Sequence, residues 1–108
     1  MKKTPDSLAD LGRFSEPALL ILISLADGPK HGYAMTQDIE AVSGQKLGPG
    51  TLYGAIARLE ARKWIEPLPA EDRRRPYRLT GAGQKVLRAR LDSLRAVAKI
   101  GHARLVEN

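Results

Sequence analysis

A chain of 108 residues fits one small domain, and a core this modest would be helped by a second chain. Aromatic residues make up 5% against 43% hydrophobic overall, so the core must be aliphatic, and a charged fraction of 28% is not that of a disordered chain. The absence of cysteine excludes disulfides, Cys-based zinc sites and thiol chemistry, and a formal charge of +6 points to nucleic acid, an acidic partner or an anionic membrane surface.

Residues 1–14 read as a flexible, polar N-terminal arm. Basic residues near the start without an apolar stretch behind them do not make a signal peptide. The lack of cysteine suits a cytoplasmic protein. "PALLILISLA" (17–26) is too short to span a bilayer, so a membrane is not an expected partner. Ser15 is placed to cap a helix that runs to about Ala26, with Glu16 and Pro17 in its first turn. Its apolar residues fall on nearly every side, which predicts the central core helix.

"DGPKHG" (27–32) is a turn by composition. A second helix follows over about Tyr33–Val42, with Tyr33, Met35, Ile39 and Val42 on its apolar side. "SGQKLGPG" turns the chain again, and a third helix begins near Pro49 or Gly50 and ends at Lys63. Then "WIEPL" and "YRLT" make two short strands around a polar tip, a hairpin. Thr80 caps a last helix reaching about Val106. The order predicts a mainly α fold with a small β-hairpin. Residues 15–79 form a winged helix-turn-helix DNA-binding domain and 80–108 a C-terminal dimerisation helix.

At 100° per residue, Leu52, Ile56 and Leu59 of the third helix cluster within about 60°, with Ala55 beside them. The opposite side carries Gly50, Gly54, Ala57 and Ala61. Small residues allow close approach, either of another helix or of a DNA groove. Thr51 and Tyr53 offer hydroxyls and Arg58 and Arg62 positive charge; Gln45, Lys46 and Tyr33 lie near the same end. The hairpin tip concentrates Arg73, Arg74 and Arg75, with Arg78 behind them, and this basic wing favours the DNA reading. Arg73 and Arg74 are expected on phosphate. Glu71 and Asp72 weaken the local field.

Leu87, Leu91, Leu94, Ala98, Gly101 and Leu105 recur at intervals of four and three in the last helix, a heptad seam. Its length of about 40 Å exceeds what one such domain needs, so a homodimer is expected. His31 and His102 have no partner at ligand spacing, so neither metal nor cofactor is expected; His31 hydrogen-bonds the turn or caps the second helix. Trp64 anchors the hairpin to the helices. No triad, paired carboxylates or phosphate-binding glycine loop is evident, and the chain does not read as an enzyme.

"LADGPKHGYAMTQDIE", "GPGTLYGAIARLEARKWIEPL" and "RRRPYRLTGAGQKVL" closely resemble, in order, the PadR family of winged-helix transcription regulators, over about Pro17–Leu87. The resemblance implies a homodimeric bacterial regulator, usually a repressor, on a palindromic double-stranded operator, released by a small molecule or other signal. It also implies DNA contact from Thr51, Tyr53 and their neighbours and from the wing. One C-terminal helix places the chain with the short subfamily. Some short members bind flat drugs between subunits through an aromatic residue in that helix; here the helix has none. The competing reading is a winged-helix module that binds protein and not DNA.

Overall fold

The most apolar segment of the chain becomes its centre. In the computed structural model, which describes residues 7–107, helix α1 (Ser15–Ala26) buries Ala18, Ile21, Leu22 and Leu25 almost completely. A 3-10 segment, Leu8–Phe14, precedes it. After it come β1 (Lys30–His31), α2 (Gly32–Ser43), α3 (Pro49–Ala61), β2 (Ile65–Pro67), β3 (Pro76–Leu79) and α4 (Gly81–Glu107). The fold is mainly α with a small sheet, and α1 touches the 3-10 segment, α2, α3, α4 and β3.

The N-terminal arm needs correction. Residues 1–6 lie outside the described residues, but Leu8–Phe14 is helical and packed. Leu8, Leu11 and Phe14 are buried in the same cluster as α1, because their apolar side chains find the open flank of α1 and α3. Ser15 consequently does not cap α1. It is the first helical residue, and its amide bonds the Gly12 carbonyl, so the preceding segment supplies the partner that a capping side chain would have given.

The hairpin is wider than expected. Lys30 and His31, read as part of a turn, form a third strand, giving an antiparallel sheet in the order β1-β3-β2. Lys30 pairs with Tyr77 and His31 with Pro76; on the other side of β3, Ile65 pairs with Leu79, Glu66 with Arg78 and Pro67 with Tyr77. In α2 the buried residues are Gly32, Met35 and Ile39, while Tyr33 and Val42, assigned to the apolar side, are exposed. His31 caps this helix by accepting from the Ala34 amide. In α3 the buried stripe is Leu52, Ala55, Ile56 and Leu59, as its periodicity predicts.

Thr80 caps α4 through the Gly83 amide (3.0 Å) and donates to the Lys63 carbonyl (2.7 Å). Leu87 is buried in its own domain's core, so the first member of the expected seam belongs to the monomer. Beyond it, Leu91, Leu94, Val97, Ile100 and Leu105 are exposed, as are Ala98 and Gly101. Val97 and Ile100 widen the stripe beyond the heptad positions.

Gly83 faces the carbonyl oxygen of Trp64 so closely that a Cβ there would overlap it, and would stand 2.8 Å from Leu79 Cδ1. That oxygen, just ahead of β2, is held by the Thr80 amide at 3.1 Å and cannot swing aside. Gly83→Ala should cost about 2 kcal/mol despite the better helix propensity of alanine, lowering the thermal midpoint by roughly 8 °C or more. An unchanged or higher midpoint in thermal denaturation would contradict this docking.

Candidate nucleic-acid interface

Helix α3 starts at Gly48, which offers no capping side chain, with Pro49 in the first turn where its missing amide costs nothing. Gly50, Thr51, Tyr53, Ala57, Arg58 and Ala61 are exposed. This outer surface is divided in two. On one side the Phe14 ring lies against Gly54, where a Cβ would meet it at 2.7 Å. The Arg58 guanidinium lies over that ring, 4.0 Å from its centroid, and donates to the Gly54 carbonyl. Arg62 approaches Asp10 at 4.0 Å and stands over Trp64 at 5.4 Å. Gly54 and Arg58, expected to face DNA, are thus occupied by the N-terminal segment. The clear face is Gly50, Tyr53, Ala57 and Ala61. Trp64 is buried and joins the hairpin to the helices.

Beside that face stands the wing. Its tip is a two-residue turn: Glu71 and Arg74 exchange amide–carbonyl bonds of 2.7 and 2.8 Å, and Asp72 and Arg73 between them have φ of 48° and 68°. This is the double left-handed conformation of a tight hairpin turn. It swings the arginines out. Arg75 donates to the Leu68 carbonyl at 3.0 Å, and Arg78 pairs with Glu66 across the strands. Arg73 and Arg74 have no ion pair among the described residues.

A cleft of about 310 Å3 separates wing from helices. Gly32 and Tyr33 line one wall, Tyr53 another, and Arg73, Arg74 and Tyr77 the third. Gly32 is glycine for a steric reason: the Tyr53 hydroxyl occupies the space a Cβ would need. Burial, then the Glu60 carboxylate, raises the Tyr77 phenol above its ordinary pKa, so it stays a protonated donor. Tyr33 accepts from Gln37 at 3.2 Å and remains exposed. Lys46 is exposed in the α2–α3 loop, whereas its neighbour Gln45 donates to Glu16 at 2.5 Å. Lys30 is turned away, donating to the Ser24 carbonyl. All of the expected contact residues except half-buried Gly54 are therefore exposed; of these, Gln45, Arg58 and Arg75 hold Glu16, the Gly54 carbonyl and the Leu68 carbonyl.

The sequence reading did not place Arg13 at this site, and it assigned His31 only to the turn or the cap of α2. Arg13 borders the same hollow as Gly50 and Thr51. His31 reaches the wing, with Nε2 3.5 Å from an Arg74 nitrogen. Their neighbours at the site are distant in sequence, so no local pattern shows these contacts. Among the described residues no cluster of His, Asp and Glu is arranged for a metal, and no helix is long and apolar enough to cross a membrane.

Residues 21–89 match the model of the transcriptional regulator PadR-like family. A curated relative, an uncharacterised 37.1 kDa protein in transposon TN4556 of Streptomyces fradiae, is 50% identical over 82 residues, covering 76% of this chain. The chain spans about a quarter (24%) of that relative's length. Among solved structures, a transcriptional regulator from Clostridium thermocellum superposes with a TM-score of 0.74 at 28% identity, covering 87% of this chain and 96% of that one. A PadR family transcription regulator from Clostridium difficile R20291 gives 0.72 at 24% identity, covering 82% and 96%, and is alike in fold.

The Phe14–Gly54 contact is separable from any DNA role. Gly54→Ala should cost about 1–2 kcal/mol by overpacking, and the loss should vanish in a Phe14→Leu background, where the ring no longer fills the notch. Additive stabilities in chemical denaturation would remove the contact from the account.

Proposed function

We propose that this chain, which belongs to the transcriptional regulator PadR-like family, is a homodimeric DNA-binding repressor of the cytoplasm that a small molecule or other signal releases from its operator. The family is one of regulators, not enzymes. The observation that carries the DNA reading is the pair of exposed guanidinium groups, Arg73 and Arg74, which have no ion pair among the described residues and stand on a projecting turn beside the uncluttered face of α3. The face of Gly50, Tyr53, Ala57 and Ala61 offers clearance for a groove, and few long side chains project from it. Specificity then rests on Thr51, Tyr53, backbone fit and DNA shape, with the wing on phosphate or in the minor groove.

Dimerisation is carried by α4. Its outer two-thirds lies beyond the domain's own core and exposes Leu91, Leu94, Val97, Ile100 and Leu105. An apolar stripe of that length in a soluble regulator calls for a partner, and a second copy aligned by a two-fold axis would present two wings to two half-sites. At the base of α4 a cleft of about 370 Å3, floored by Leu79, Leu87 and Leu91 and edged by Arg88 and Arg95, has room for the effector.

Two experiments test this. On duplexes selected from random DNA, Arg73→Asn, which tolerates the positive φ, and Tyr53→Ala should each weaken binding several-fold, and loss of Arg73 should reduce the salt slope by about one. Unchanged affinity in both variants by gel shift would overturn the assignment. Leu94→Glu with Ile100→Glu should convert a dimer into a folded monomer in sedimentation at micromolar concentration; an unaltered mass would place the interface elsewhere.

A further inference from the structure

His31 is fixed from two directions. Pairing of β1 with β3 sets its backbone opposite Pro76 at the root of the wing. Its Nδ1 accepts from the Ala34 amide at 3.4 Å. A ring that accepts at Nδ1 carries its proton on Nε2. Nε2 stands 3.5 Å from an Arg74 nitrogen; the Nδ1 contact favours the tautomer in which Nε2 carries the proton, and in that tautomer both groups are donors. Two donors cannot satisfy one another, and together they match a single acceptor placed between them.

The surroundings select the acceptor. The cleft that His31 and Arg74 share is lined by the Tyr53 and Tyr77 phenols and by Arg73, and by no carboxylate. Glu71 and Asp72 line a neighbouring hollow that also reaches His31 and Arg74, and the cleft that includes Tyr53 of α3 is the one with no carboxylate in its lining. A neutral ring and a planar guanidinium suit the tetrahedral oxygens of a phosphate, which accept several donors at once.

We propose that this cleft is a phosphate site, in which His31 Nε2–H and Arg74 donate to one phosphate group and the Tyr53 hydroxyl completes the shell. The proposal rests on the DNA reading for its source, a phosphodiester of the duplex backbone; a free phosphate group has the same chemistry. Seated there, one phosphate would join the start of α2, helix α3 and the wing at a single point, fixing the register of all three on the duplex.

His31→Asn keeps an N-cap acceptor for α2 and removes the Nε2 donor; Arg74→Gln removes the charge. The full chain, both single variants and the double variant are compared on one selected duplex by fluorescence anisotropy. The His31 ring nitrogens are followed by long-range 1H–15N correlation during titration with that duplex and, separately, with inorganic phosphate. Each single variant should lose roughly five-fold in affinity while its thermal midpoint stays within about 2 °C, and the double should lose less than the product of the two, since both groups hold one phosphate. The His31 Nε2 signal should move with DNA, and with phosphate at millimolar concentration. Movement with phosphate but not with DNA supports the site with a free phosphate as its source. If the wild-type chain binds no duplex yet phosphate moves His31, the site stands and the DNA reading falls. If the duplex binds with full affinity to His31→Asn and neither titrant moves the ring, the site is overturned and the DNA reading stands.

Discussion

Burial of α1 on nearly every side is the constraint from which the rest of the arrangement follows. Ala18, Ile21, Leu22 and Leu25 are at most 3% exposed, and each fully buried Leu or Ile contributes about 1.5–3 kcal/mol. A helix that is apolar all round has no solvent face, so every other element must supply a wall. The 3-10 segment, α2, α3, β3 and the start of α4 do so, and their order around α1 leaves the outer face of α3 and the wing on one side of the domain. The core is aliphatic because the sequence has little else to build with: Phe14 and Trp64 are the only buried aromatics in it.

Close approach through glycine is the second theme. Gly54 receives the Phe14 ring, Gly83 the Trp64 carbonyl, and Gly32 the Tyr53 hydroxyl. Each contact joins elements far apart in the chain: N-terminus to α3, α4 to the root of β2, α2 to α3. A stripe of small residues on α3 therefore has two explanations at once. Gly54 is bare for an internal ring, whereas Gly50, Ala57 and Ala61 are bare toward the outside.

The charge is divided in the same manner. The positive excess of the sequence lies in residues 58–108, but much of it is spoken for. Arg58 and Arg62 lie over aromatic rings, Arg75 holds a carbonyl and Arg78 pairs with Glu66. A guanidinium already engaged must break that contact before it can serve a phosphate. Arg73 and Arg74, exposed at the tight turn, have no ion pair among the described residues, and Arg74 has only a long contact with His31.

The sequence by itself determined what repeats within a turn or two of chain. The buried stripe of α3, the hairpin with its basic tip, the Thr80 cap and the long amphipathic α4 are all legible, since a period of 3.6 or 2 is written in neighbouring residues. So was the family motif running from His31 to Gly83. What only the tertiary structure decided are pairings between distant segments. A two-residue strand at Lys30–His31 leaves no periodic trace and exists because β3 offers it an edge. Leu8 and Leu11 looked like part of a polar arm until α1 and α3 gave them a surface to cover, and Leu87 joined the monomer's core for the same reason. The internal contacts of Gly54, Gln45 and Arg58 were decided by Phe14 and Glu16, which meet them only after folding. Local pattern fixes which face of an element is apolar; which neighbour covers that face is a property of the packed whole.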